Sequence, residues 1–423
     1  MRTDLSKRAL WHWRPRRDRK GLIVAAMTTL GLLALTLGTG AGAAGAAPTA
    51  AAPKGSPITI CEVSAQSGAA LGVGLGDKRG ITAYTKWIDS HGGVLGHSYK
   101  LVALDDASTP SVAVSDVRKC VTQLHANFIL GPGETNDYVA AVPVANSLKT
   151  ILIMQGAGWA GVGIPNNQLT SYSFPGLYNA YQQNDYDMVK KIILPRHYKR
   201  VAVIDGCDPL CDTNTNFMKQ YGKQYGFSVV AHQEVTYNQT DDSPQVIKLL
   251  AAHPQAIVLG IPPGQDTVTF LKALRAQNPT IPVGECAVCT LPSFEQAVGG
   301  PTALKDVYVL GDSSMLLKYT PDKTTRTNID NYIAGMKAVG FGSVSDIAQD
   351  LVGWATGEEL TNAIQTAKST STDAVKTALQ HQHVALMGWS WARTPQNYAI
   401  LSSYHSVMAI WTPKGQLKVY KAS

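Results

Sequence analysis

The sequence predicts an α/β protein with two doubly wound lobes, each built on a parallel sheet. Three observations lead there. From Ile58 onward, short apolar strands alternate with segments of helical periodicity, the rhythm of βαβ units whose sheets are covered on both faces. Near Ser173 to Pro175 that rhythm starts a second time. The 423-residue chain, less a 47-residue leader, is longer than one core usually organises.

The first strand lies in ITICEVSAQSG (Ile58 to Gly68). In the helix that follows, around Ile81 to His91, Ile81, Tyr84, Trp87 and Ile88 fall at helical spacing, and Gly92 and Gly93 provide a left-handed stop. A strand ending in the acidic pair Asp105 and Asp106 comes next. Ser108, Thr109 and Pro110 then open a second helix as a cap with proline in the first turn. Val117, Cys120, Val121 and Leu124 line its inner face, so Cys120 reads as a buried rather than a reactive thiol. FILGPGE (Phe128 to Glu134) is a strand and turn leading into a helix, and TILIMQGAG (Thr150 to Gly158) is the next strand and turn.

The second round runs RVAVIDG (Arg200 to Gly206), a helix at Thr213 to Tyr225, SVVAHQEV, a helix at Ser243 to His253, AIVLGIP, a helix at Asp266 to Gln277, and IPVGE (Ile281 to Glu285). DVYVLGD (Asp306 to Asp312) is followed by a loop and two long helical segments, the second at Asp346 to Ala367. Trp389 to Trp391, Val407 to Trp411 and the turn Pro413 to Gly415 read as a hairpin-like ending. Trp354, Trp389, Trp391 and Trp411 read as core or lobe-edge aromatics.

Residues 1–47 read as an export signal. The first 20 residues hold eight Lys/Arg against Asp4 and Asp18, Gly21 to Gly38 is uncharged and apolar, and Ala44 to Ala47 offers small residues for cleavage. An apolar run of that length also suits an uncleaved anchor with its basic arm inside. Residues 48–56 form a short linker. Without the leader the formal charge falls from +7 to +1, which leaves no basic footprint for nucleic acid. All six cysteines lie in the exported part, where disulfides persist. Cys207 with Cys211 and Cys286 with Cys289 are local pairs, leaving Cys61 and Cys120 as a distant third; the alternative is a four-cysteine zinc site from the two local pairs.

The residues SG (Ser67, Gly68), RGI (Arg79 to Ile81), GGVLG (Gly92 to Gly96), Asp105 with Asp106, and ILGPGET (Ile129 to Thr135) resemble the type I periplasmic binding proteins, specifically the branch serving branched-chain amino acid ABC transporters. AVIDG and LKALRAQ add weaker support. The resemblance spans residues 57–423 in element order and implies three hinge crossings between the lobes, near residues 174, 314 and 385. It assigns residues 57–174 and 315–385 to the N-terminal lobe, and 175–314 and 386–423 to the C-terminal lobe. A small molecule would bind between lobes that close about the hinge.

The same resemblance implies a set of ligand contacts. On the first lobe these are the turn after the first strand (Ala65 to Gly74, with Ser67 and Gly68), the turn Gly133, Glu134 and Thr135, and a third turn at Gln155 to Trp159 with Gly156, Ala157 and Trp159. Tyr138 follows on the same helix. The amides from Gly133 to Asn136 open a helix and favour an anionic group. Glu134 opposes this by like charge, unless it faces solvent or complements the helix dipole, or unless the ligand is not a simple anion. Trp159 offers either a flat face for an apolar or cationic group or a plug for the lobe edge. On the second lobe, the positions of the family's covering aromatics hold Leu210 and Pro262 to Gly264. Glu285 stands where the family pairs an amino group, and Asp205 and Asp208 are further polar contacts, with turn chemistry also open to Asp208 before Pro209.

The expected function is capture of a small polar or amphipathic metabolite, an amino acid or related compound, and its delivery to an ABC permease. An extracellular sensor on the same clamshell is the alternative, and a hydrolytic enzyme ranks third. No GxSxG, HExxH, P-loop or complete GxGxxG is present, and GVGLG (Gly72 to Gly76) lacks the final glycine and the acidic partner. His381 and His383 read as a solvated helix end. The protein is expected to be a monomer without cofactor or metal, touching a membrane only through its leader or its permease.

Overall fold

The computed structural model describes residues 52–68, 70–155, 171–175, 185–206, 213–236, 239–260, 265–284, 292–312, 323–341, 347–386, 389–396, 398, 401–404 and 406–420. The predicted leader, residues 1–47, lies outside them, as do Cys207, Cys211, Cys286 and Cys289. Among the described residues no helix is long and apolar enough to cross a membrane.

Five strands form the first sheet: β1 (Gly55–Ser64), β2 (His97–Asp105), β3 (Phe128–Leu130), β4 (Leu152–Ile153) and β5 (Ser173–Phe174), in the order β2-β1-β3-β4-β5 and parallel throughout. Helices α1 (Leu71–Ser90), α2 (Pro110–Thr122) and α3 (Thr135–Ser147) are its crossovers. Alternation along β1 sends Ile58 and Ile60 into one core with Phe128, Leu130, Ile151 and Ile153, and Cys61 and Val63 into another with Ile129, Leu152 and Met154. Both faces are therefore dry, which is why these strands read as near-continuous apolar runs.

On the second face, Cys61 of β1 and Cys120 of α2 form a fully buried disulfide with Cα atoms 5.8 Å apart. The helix end at Gly92 and Gly93 is left-handed, with φ of 97° and 70°. Thr109 precedes Pro110 in extended geometry, but no side chain caps this helix, because the Thr109 hydroxyl donates instead to the Ala107 carbonyl.

The second sheet repeats the pattern. Strands β6 (Arg200–Gly206), β7 (Ser228–Val235), β8 (Ala256–Gly260), β9 (Val283–Gly284) and β10 (Val307–Asp312) take the parallel order β7-β6-β8-β9-β10. Helices α4 (Thr213–Tyr225), α5 (Ser243–Ala251), α6 (Gln265–Gln277) and α7 (Pro292–Val298) connect them.

The rest of the chain serves both layers. Helices α8 (Lys323–Ala338), α9 (Ile347–Ala367) and α10 (Thr372–Gln380) return to the first sheet, where Leu351, Trp354, Ile364, Val375 and Leu379 join the core of Ile81 and Tyr84. Trp354 packs edge-on against Tyr84 and Tyr332 with ring centroids 5.1 and 5.6 Å away, a geometry worth about 0.5–1.5 kcal/mol per pair beyond area burial. Strands β11 (His383–Leu386), β12 (Trp389–Ala392) and β13 (Leu401–Tyr404) make a small antiparallel sheet, so Trp389 to Trp391, expected in the hairpin-like ending, pair instead with β11 and β13. Strands β14 (Ser406–Trp411) and β15 (Leu417–Val419) form the closing hairpin on the edge of the second sheet, beside β10. Trp411 is buried there.

One cation binds several of these segments. Arg393, 2% exposed, pairs with Glu359 of α9, donates to the Pro175 carbonyl at 2.9 Å and to the Tyr398 carbonyl at 3.0 Å, and reaches the Gln382 side chain at 3.3 Å.

Candidate functional site

In a parallel sheet of this order the connections leave β1 and β3 on opposite faces, so a crevice opens beyond their carboxyl ends. Two of the predicted ligand turns lie there. The first follows β1 and is held by Asp105 at the end of β2. A single carboxylate oxygen of Asp105 accepts from the backbone amides of Gln66 (2.8 Å), Ser67 (3.1 Å) and Ala107 (2.9 Å). Partial burial raises this carboxyl, but the Ser67 hydroxyl and the three amides outweigh it and hold the group below its ordinary range. Ser108 completes the clasp, accepting from the Ala70 amide and donating to the Ser67 carbonyl. Gly68 sits at φ 81°, and a Cβ there would lie 2.5 Å from the Ala107 carbonyl oxygen, so no other residue fits. Ser67 and Gly68 are exposed, as a contact surface requires.

The second turn, Gly133 to Thr135, opens α3. Thr135 is 5% exposed and the Glu134 side chain is half-buried at the N-cap without a capping hydrogen bond to the helix. A Cβ on Gly133 would lie 2.4 Å from Oδ2 of Asp77 and 2.8 Å from the Gln155 carbonyl, so this turn is pressed onto α1 and the end of β4. Tyr138 differs from the expectation: it turns into the core with Val63, Val117 and Met154 and is 1% exposed. Helical spacing places position 138 three residues, about one turn, beyond Thr135, on the face that covers the sheet.

On the second sheet Asp205 ends β6 and is 2% exposed, accepting from the Thr215 hydroxyl at 2.8 Å with Nε2 of His232 3.1 Å from the same oxygen. It braces the start of α4 against β7. Gly156, Ala157, Trp159, Asp208, Pro262 and Glu285 lie outside the described residues. His381, just after α10, and His383, at the start of β11, are exposed, and among the described residues no group of three or more His, Cys, Asp or Glu could hold a metal.

A model of the periplasmic binding protein family matches residues 57–404. The chain belongs to the periplasmic binding protein family. Its fold is the type I architecture of that family, in which the described sheets are the two parallel-sheet layers. A Leu/Ile/Val-binding protein homologue from Brucella suis is 23% identical over 345 residues, covering 78% of this chain and 82% of its own. An amino acid binding protein from Pseudomonas aeruginosa is 24% identical over 233 residues, 54% of this chain and 60% of its own. Among solved structures, an extracellular ligand-binding receptor from Rhodopseudomonas palustris HaA2 superposes with a TM-score of 0.74 at 20% identity, covering 86% of this chain and all of its own. A leucine-binding protein from Thermotoga maritima gives 0.66 at 15% identity, covering 86% and 98%. Family membership makes this an extracytoplasmic solute-binding architecture.

Two carboxylates around the site, Glu62 and Asp137, were not singled out from the sequence, and Asp106 was read there only as part of the acidic pair that ends a strand. Glu62, two residues before the end of β1, is fully buried, and burial above all pushes its carboxyl up to about 8, with Asp106 and Asp105 adding and a hydrogen bond from Ser64 and the charge of Lys78 opposing. Asp137, in the first turn of α3, is raised to about 7 by burial and by Asp106, and Asp106 itself to about 6, chiefly by burial. The signal for Glu62 was present: an acid flanked by Cys61 and Val63 in a strand buried on both faces.

Proposed function

We propose that this chain captures a small polar or amphipathic metabolite, an amino acid or related compound, between two lobes and delivers it to an ABC permease after export. The observation that carries the reading is the pair of rigid turns at the β1/β3 crevice. Ser67 and Gly68 are clasped by Asp105 and Ser108, and Gly133 to Thr135 are seated on Asp77, so polar groups converge where an open α/β sheet takes its ligand. Hinge crossings near residues 174, 314 and 385 would let one lobe swing over this face. The family resemblance adds Asp208, Pro262, Glu285, Gly156, Ala157 and Trp159 as further candidate contacts. The amino-acid-binding names among the relatives support the ligand class.

The test is a thermal-shift screen of the full chain against amino acids, amides, polyamines and small aromatic acids. A concentration-dependent rise in unfolding temperature with one class is expected. A flat response across every class rejects solute capture. Co-purification with an ATP-driven permease distinguishes delivery from sensing.

A further inference from the structure

The near balance of charge beyond the leader hides an uneven distribution. One face of the second sheet is covered by the helical segment at residues 185–193 and by α4, which share a core with Val201, Val203, Val258 and Tyr308. On these elements and at the amino end of β6, Lys190, Lys199, Arg200, Lys219 and Lys223 are exposed and Arg196 is half-buried. The described residues between 185 and 228 include only the acids Asp185, Asp187 and Asp205, all buried, and Asp187 is paired with Lys191 at 3.1 Å. No exposed carboxylate among them offsets the cations. Just before β10, Asp306 is half-buried, and its charge acts on Arg275 and Tyr308. The carboxyl ends of the same strands carry the opposite sign: Glu234 and Asp241 are exposed there and Asp266 is half-buried.

The cations form one connected surface with tyrosines beneath it. Lys190 Nζ stands 4.1 Å from the ring centroid of Tyr225 and 5.5 Å from that of Tyr186, and the Arg196 guanidinium stands 5.1 Å from that of Tyr308. Lys199 donates to the Gly226 carbonyl at 3.1 Å and Arg200 to the His253 carbonyl at 3.2 Å, which ties the strand end to the segments beside it. Tyr186, Tyr198 and Tyr225 are half-buried, so their rings border the charged layer. Exposed ammonium and guanidinium groups above a shelf of tyrosine rings match the layering of a lipid headgroup region, where phosphates meet cations and aromatic rings sit at headgroup depth. The extracytoplasmic architecture puts a membrane surface within reach of this face. We propose that residues 185–200 and α4 dock on an anionic phospholipid surface. The acids at the carboxyl ends of β7 and β8 are repelled by the same surface, so the second sheet lies with its amino ends toward lipid and its carboxyl ends away from it. The proposal is independent of which solute the chain captures.

Lysine acylation of the full chain, followed by mass spectrometry, tests this with vesicles of phosphatidylglycerol and phosphatidylcholine, vesicles of phosphatidylcholine alone, and polyphosphate as a soluble polyanion. The leader is itself basic, so contact is read at the lysines of the face and not from total binding. On the anionic vesicles Lys190, Lys199, Lys219 and Lys223 are expected to react severalfold more slowly, with the protection absent on neutral vesicles and lost at high salt. Lys86, Lys119 and Lys337, exposed on helices of the first sheet, should keep their rates. Combining Lys190→Gln, Lys219→Gln and Lys223→Gln should abolish the protection of Lys199. The same loss of charge elsewhere, through Lys86→Gln, Lys119→Gln and Lys337→Gln, should leave that protection intact. Lysines of both sheets protected alike, no protection at the four positions, protection that survives the first triple variant, or protection by polyphosphate alone overturns the docking face.

Discussion

Glu62 is the residue whose surroundings differ most from its chemistry. Its carboxyl is held near 8 against an ordinary 4.5, so between those values the folded chain keeps a proton that the unfolded chain releases. The contribution to stability is complete below about pH 4.5 and is lost as pH rises through about 8. Thermal unfolding followed from pH 5 to 8.5 should therefore show a falling melting temperature. Glu62→Gln should flatten that slope and raise the melting temperature at the alkaline end; an unchanged slope would mean that Glu62 is not buried as described. Asp105 makes the opposite case. It acts as an acceptor for three amides, so Asp105→Ala should loosen residues 66–70 and weaken ligand binding by about tenfold, with faster amide exchange confined to that turn.

At the scale of elements, the disulfide from β1 to α2 ties the strand that precedes the first ligand turn to the helix behind it. It closes a loop of 59 residues, for which the loop-entropy relation gives about 4 kcal/mol. Replacing both cysteines with alanine should lower the denaturant midpoint accordingly with little change in slope, and reduction of the wild type should do the same. The element order was legible because strands buried on both faces are unbroken apolar runs and the helices between them end at glycines such as Gly92. The small sheet β11-β12-β13 was less so, because short antiparallel strands of mixed composition carry no periodicity that separates them from loop. The turns at Ser67 and Gly133 could be read because glycine and serine mark them. Tyr138 could not be placed, since an aromatic in the first turn of a helix has the same spacing whether it lines a site or a core. The carboxylates at 62 and 137 escaped because their environment is made by segments far apart in the chain.

At the scale of the molecule, two sheets of the same strand order, each extended by late segments, give a chain that returns to its first layer and then to its second. If the layers close over a solute, the compact form should be favoured by ligand in proportion to its occupancy. At one hundred times its dissociation constant a solute should add about 2.7 kcal/mol to stability, and small-angle scattering should show a reduced radius of gyration. An unchanged radius with a clear thermal shift would indicate capture without closure. Arg393 bears on how such a movement is transmitted. Its guanidinium is bonded at once to the carbonyls of Pro175 and Tyr398 and to side chains from α9 and residue 382, so stretches more than two hundred positions apart in the chain share one fastening. Neither stretch can slide without pulling the other along, and whatever bends there bends as a coupled bundle, not as independent threads.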